Sequence, residues 1–179
     1  DVMETPAAAL LAPLGERVDG PSPIKFLPYL DGERTPHNDA AASGALIGLR
    51  GATGRGQVVQ AVLEGVAFAA RDNLAALSAA SGPIPELDLV GGGSRSPLWA
   101  QICADVLGIP VHRVEEGEVG AALGASRLGR LAATGESASA VCTRPRRLAT
   151  FTPRASVAAA YDEAYRRWRA LYPALKETN

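Results

Sequence analysis

The sequence is poor in the residues that build metal and redox centres: its 179 residues include two cysteines and two histidines. Cys103 and Cys142 stand far apart with no C-x-x-C pairing, which excludes a zinc ribbon or a dithiol redox motif and reads as free thiols in a reducing compartment. His37 and His112 are equally solitary, so surface or satisfied core histidines are expected and no metal site is. Neither sign of charge is in excess. With 18 basic and 19 acidic residues the net charge is -1, which excludes the electrostatic footprint of a nucleic-acid binder or of a protein held to an anionic membrane. The basic clusters Arg144-Arg146-Arg147 and Arg166-Arg167-Arg169 read as solvated faces. No apolar run is long enough to span a bilayer and no signal-peptide pattern is found, so a cytoplasmic protein is expected. A P-loop is also missing, because Gly51 and Gly56 have its spacing but Gln57 stands where its lysine belongs. The chain opens Asp1-Val2-Met3, without an initiator methionine, which leads us to expect further sequence upstream.

What the chain does contain is a strand, a glycine loop and a helix in immediate succession. Leu87, Leu89 and Val90 form the short apolar run of a covered strand. Gly91, Gly92 and Gly93 follow and let the backbone turn sharply and approach a ligand with no side chain in the way. Ser96 has the chemistry of an N-cap, Pro97 suits the first helical position, and Gly108 closes a helix running from Pro97 to Leu107. This is the order of a nucleotide site, and also of a turn that serves only to reverse the chain. It is not a dinucleotide fingerprint, since the sixth position counted from Gly91 is Ser96 and not glycine.

Elsewhere the pattern alternates. Residues 1–23 hold an alanine-leucine helix and a Pro/Gly/Ser linker. Ile24 to Leu30 and Ala45 to Leu49 read as short strands. From Gln57 to Ala80, Val59, Val62, Leu63, Val66, Ala70, Leu74 and Leu77 fall at helical spacing and predict the longest helix, with that stripe turned inward and Glu64 beside it as a paired structural acid. Ile109 to Val114 predicts a second strand. Val119 to Ala133 predicts a helix whose small residues press closely on a neighbouring element. Thr134 to Pro153 reads as a loop, and Ala155 to Tyr172 as an amphipathic helix with Val157, Tyr161, Ala164, Trp168 and Leu171 on one face. The fold class is α/β with at least part of a parallel sheet, organised as a main unit over 24–150 with the 151–179 helix packed upon it.

Three motifs then carry a resemblance. Phe26-Leu27-Pro28-Tyr29-Leu30-Asp31-Gly32-Glu33-Arg34-Thr35-Pro36 resembles the FLPYLxGERTP segment of bacterial xylulokinases, within the FGGY family of carbohydrate kinases. Gly44, Leu46, Gly48 and Leu49, then after seven residues Gln57, Val58, Ala61, Val62, Leu63 and Glu64, match the family's second signature. Val90 to Ser96 resembles its adenosine motif, and Gly120 to Gly124 its second connecting helix, so the likeness spans Ile24 to Ala133. The resemblance implies the C-terminal lobe, in part, of an actin-like ATPase (ribonuclease H-like) fold. It implies ATP and Mg as cofactors, a sugar as substrate, and phosphorylation of D-xylulose to D-xylulose 5-phosphate. Gly91, Gly92, Gly93, Ser94 and Ser96 would line the adenosine, with Ser96 standing where relatives often carry asparagine. The first phosphate loop, the sugar lobe, the second phosphate loop and the aspartate base all belong to an N-terminal part not in this chain, so the chain alone is expected to be inactive.

Three alternatives have their own signatures. Another FGGY kinase, acting on ribulose, gluconate, fuculose or glycerol, shares the fold. A Rossmann-type cofactor domain would use Gly91 to Gly93 and place Glu115 or Glu116 on a ribose. A non-enzymatic assembly module would present the helix around Trp168 as its partner surface and form a homodimer.

Overall fold

The computed structural model describes residues 6–176, so the opening Asp1-Val2-Met3 lies outside the described residues. A short helix α1 (Ala7–Leu11) runs into a 3-10 turn at Ala12–Leu14. β1 (Lys25–Leu27) and β2 (Ala45–Ile47) pair antiparallel, with Phe26 opposite Leu46. After α2 (Arg55–Ser81) come β3 (Leu87–Leu89), α3 (Pro97–Leu107), β4 (Val111–Val114) and α4 (Gly120–Thr134). The chain continues through α5 (Ala138–Val141), β5 (Arg147–Phe151), α6 (Ala155–Arg169) and α7 (Leu171–Lys176). A second sheet runs β3-β4-β5, its first pair parallel and its second antiparallel.

β5 occupies what the sequence predicts to be loop. Leu148 is half exposed, so no inward apolar alternation marks the segment. Its ladder with β4, which sets Phe151 opposite Val111, comes from a pairing that local composition does not encode.

α2 differs from expectation in its facing. The bulky positions Val62, Val66 and Leu77 are exposed, while Ala61, Glu64, Gly65, Phe68 and Asp72 are buried. The reason is a close approach: a Cβ on Gly65 would stand 2.3 Å from the carbonyl oxygen of Phe26, so the helix backbone itself lies against β1. Small residues seat the helix on β1, Phe68 enters the core beside them, and Val62, Val66 and Leu77 turn away. Glu64 is a paired structural acid, as its position predicts. It accepts hydrogen bonds from the Ser22 amide at 2.9 Å, the Gln60 amide group at 2.7 Å and the Tyr161 hydroxyl at 3.1 Å.

α6 closes the main core with four of the five residues predicted for its face, Val157, Tyr161, Ala164 and Trp168, while the helix predicted to run to Tyr172 ends at Arg169 and the fifth, Leu171, opens α7 and is only partly buried. Trp168 is buried to 1% exposure and donates its indole N–H to the Phe26 carbonyl at 2.7 Å. It packs against Phe68 and Tyr29 at ring-centroid separations of 5.7 and 6.1 Å. This face is consumed inside the chain and is not the partner surface of an assembly module. Asp105, on α3, is buried and holds Arg154 through the backbone amide at 2.8 Å and the guanidinium at 2.7 Å, which fastens the start of α6 to α3.

α4 also departs from its reading. Of its glycines only the first, Gly120, lies close to a neighbour, 3.3 Å from Cβ of Val90 for an added Cβ; among the described residues no residue of the helix is buried, and a Cβ on Gly124 or Gly129 would meet no atom within 4 Å.

Two stability tests follow from this packing. Truncating Trp168 to Ala should cost about 3–5 kcal/mol, while Trp168→Phe should restore most of the packing and leave a deficit of about 1 kcal/mol for the orphaned Phe26 carbonyl; urea unfolding of the three proteins checks the order. Burial raises the Glu64 carboxyl above its ordinary value near 4.5, against the opposing pull of its three donors. The folded state therefore holds this proton more tightly than the unfolded chain, so the stability it contributes is complete below about 4.5 and is lost as pH rises through the raised value. Melting curves of Glu64→Gln should accordingly gain on the parent protein as pH is raised across that window.

Candidate functional site

The site begins where β3 ends. Gly91 takes φ +88°, a conformation that strains any residue with a side chain. Gly92–Arg95 then forms a single 3-10 turn, closed by the Ser94 amide on the Gly91 carbonyl and the Ser96 amide on the Gly93 carbonyl, both at 3.0 Å. Ser96 caps α3 as its chemistry predicts: its hydroxyl accepts the Trp99 amide at 3.2 Å, Pro97 opens the helix, and Gly108 ends it in the left-handed conformation.

All five residues read as adenosine-lining thus fall in one turn, but they face differently. A Cβ on Gly91 would meet nothing within 4 Å, and one on Gly92 only the Arg95 guanidinium at 3.7 Å, so the turn is not plugged by its own side chains. Gly93 lies under the Trp99 indole, which a Cβ would approach to 3.1 Å. Ser94 is buried, its hydroxyl turned inward toward Gly117. The Ser96 hydroxyl is taken up by the helix cap. A cleft of about 740 Å³ opens at the amino end of α3, lined by Ser96, Gln101, Arg17 and Arg154 among others. It meets the glycine loop only at Ser96. The partial positive charge of a helix start lies at this end.

Two supports of the loop are absent from the sequence reading. The first is backbone: the Gly91 amide donates to the Gly117 carbonyl at 2.7 Å, from a turn that reads in sequence merely as a polar break. The second is a row across the sheet, Asp88 on β3, His112 on β4 and Thr150 on β5. Buried His112 meets Thr150 Oγ1 at 2.8 Å through Nδ1 and Glu86 Oε2 at 3.1 Å through Nε2. Hydrogen bonding to Arg147, aided by His112, holds the Glu86 carboxyl down to about 2. His112 is thus a satisfied core histidine, as its isolation in the sequence predicts. Burial pushes the Cys103 thiol up to about 12, so this cysteine has no thiolate chemistry near neutral pH, and Cys142 is a free, exposed thiol. Among the described residues no three carboxylate, imidazole or thiolate groups converge as a metal site, and no helix is long and apolar enough to cross a membrane.

The antiparallel β5 beside β4, and Glu115 and Glu116 exposed in a turn, are not the arrangement the Rossmann alternative requires. Comparison with known proteins resolves the family. The model of the FGGY family of carbohydrate kinases, C-terminal domain, matches residues 4–133, reaching further toward the amino end than the likeness from Ile24. Xylulose kinase of Escherichia coli (strain K12) is 41% identical over 128 residues, which cover 72% of this chain and 26% of that protein. Among solved structures, a kinase from Brucella ovis described as a xyloylose kinase superposes with a TM-score of 0.88 at 48% identity, over 99% of this chain and 37% of that one. Gluconate kinase from Lactobacillus acidophilus gives 0.78 at 28% identity, over 98% of this chain and 35% of that one. The chain therefore spans about a quarter to two fifths of the length of these relatives. Its architecture is α/β, part of the C-terminal lobe of the actin-like ATPase fold that these neighbours carry. On the family match across most of its length, and on a superposition over nearly all of it, the chain belongs to the FGGY family of carbohydrate kinases.

Proposed function

We propose that the chain is the nucleotide-binding part of an ATP-dependent kinase that transfers the γ-phosphoryl group of ATP to D-xylulose, giving D-xylulose 5-phosphate. The observation that carries this reading is the bare backbone of Gly91 and Gly92 at the carboxyl end of a parallel strand, with α3 starting directly behind it. Ligands of open α/β sheets bind at such ends. The sugar rests on the xylulose kinases among the relatives and on the Phe26 to Pro36 segment, while the glycerol and gluconate kinases also among them keep another sugar or polyol as the second reading.

In this reading the division of labour is physical. Gly91 and Gly92 offer backbone and open space to the adenosine, Gly93 and Trp99 form the floor beneath, and Ser96 orients the start of α3 through its cap. A bound nucleotide supplies the phosphoryl group, and phosphoryl transfer depends on positioning and on stabilising charge. The donors for magnesium do not converge among the described residues, so the metal would enter with the nucleotide phosphates and find its protein ligands elsewhere in the enzyme. The acceptor's proton is likewise taken by a base outside this chain. This assigns residues 1–179 a binding role without turnover.

Thermal melting of the chain with ADP, and separately with NAD, tests the assignment. At a hundredfold excess over Kd a bound nucleotide contributes about 2.7 kcal/mol, which raises Tm by about 5–10 °C for a domain of this size. ADP should produce that shift and NAD should not; the reverse result overturns the reading. Gly92→Val should abolish the ADP shift and leave the unliganded Tm within about 2 °C of the parent, since the new side chain enters open space. ATP-dependent phosphorylation of D-xylulose by residues 1–179 alone would refute the binding-only role.

A further inference from the structure

The glycine loop is tied at two ends, to β3 at Leu89 and to the α3 cap at Ser96. Its internal hydrogen bonds shape the turn but do not fix where the turn sits relative to the sheet. That position is set from outside, by the segment that joins β4 to α4. There Glu116 adopts φ +56°, and the turn is held on its far side by the Glu115 amide on the Arg146 carbonyl at 2.9 Å. On its near side it meets the loop at three levels. Gly117 accepts the Gly91 amide at 2.7 Å. A Cβ on Gly117 would stand 3.2 Å from the Leu89 carbonyl oxygen and 3.5 Å from the Ser94 hydroxyl. A Cβ on Gly120 would stand 3.3 Å from Cβ of Val90. The small residues of this region thus divide into two groups: Gly117 and Gly120 are small because the loop lies against them, whereas Gly124 and Gly129 meet nothing among the described residues.

We propose that the Gly117–Gly120 turn is a positioning element for the glycine loop and thereby sets its affinity for nucleotide, without touching the nucleotide itself. The inference rests on the assignment of Gly91 to Ser96 as the nucleotide loop. A methyl group at Gly117 forces its neighbours to give by a few tenths of an ångström. Those neighbours are the Leu89 carbonyl oxygen and Val114 Cγ2, both at 3.2 Å, with the Ser94 hydroxyl in ordinary contact at 3.5 Å; Leu89 and Ser94 bracket Gly91. The displacement is delivered to the one stretch of backbone where a ligand depends on close approach.

Titration calorimetry of ADP into the 179-residue chain and four variants tests this, with amide hydrogen exchange at Gly91 as a second readout. Gly117→Ala and Gly120→Ala should each weaken ADP binding about three- to tenfold, as a sub-ångström misplacement of a binding group does, and Gly91 exchange should quicken in Gly117→Ala. Gly124→Ala should bind as the parent does, and Gly92→Val should not bind. If Gly117→Ala and Gly120→Ala bind ADP like the parent while Gly92→Val fails to bind, the positioning role is wrong and the loop assignment stands. Equal weakening by Gly124→Ala overturns it too, because that position contacts nothing. If Gly92→Val binds ADP normally, the loop assignment is wrong and the positioning role falls with it. Should Gly117→Ala fail to fold, Gly120→Ala decides the question, since its one tight contact is Val90 Cβ at 3.3 Å, which gives way by a small shift of the loop backbone itself.

Discussion

One carbonyl group organises this chain. The Phe26 oxygen sits in the middle of β1, where α2 lies so close that only a glycine fits, and where the Trp168 indole of α6 donates its N–H. Three elements from the beginning, middle and end of the sequence therefore meet on one polar atom inside an apolar core. A buried carbonyl without a donor costs about 1–3 kcal/mol, so the indole N–H stabilises the arrangement, while Gly65 lets α2 draw near the same atom. Beside it the Glu64 carboxylate is bound by donors from Ser22, Gln60 and Tyr161, a second polar knot tying the same elements together.

The candidate site inherits its placement from this packing. α2 and α6 both bear on α3, whose Leu98, Ile102 and Val106 are buried in the same cluster, and Asp105 clasps Arg154 at the start of α6. α3 in turn fixes Ser96. From the other side, β5 holds β4 and β4 holds β3, with His112 bonded to groups on both flanks. The loop between Leu89 and Ser96 is suspended between these two rigid supports. Its backbone is left open to ligand while almost everything beneath it is buried.

Much of this is legible in the residues. Ser96, Pro97 and Gly108 mark both ends of α3 by local chemistry, which operates the same way wherever the segment is placed. The stripe Val157, Tyr161, Ala164 and Trp168 is visible because side-chain bulk does the packing there. The failures share a different cause. The buried face of α2 is built by Gly65 and Ala61, which count for little in any measure of hydrophobicity because the contact is made by backbone. β5 exists through a ladder with β4, and the Gly91 to Gly117 bond joins two main-chain groups, an interaction indifferent to residue type. α4 follows the same logic in reverse: its small residues are readable, but beyond Gly120, which lies against Val90, a Cβ on Gly124 or Gly129 meets nothing among the described residues. What side chains encode could be read, and what the main chain does across long separations could not.

The indole of Trp168 and the carbonyl it meets are separated by 142 positions. During synthesis at about 5–20 residues per second, roughly seven to thirty seconds pass between the emergence of one and the other. Throughout that interval the newborn β1 hairpin and α2 have no lid. The apolar surface that α6 will cover stays open to solvent, to chaperones and to other nascent chains, so α6 acts as the latch that ends this exposure.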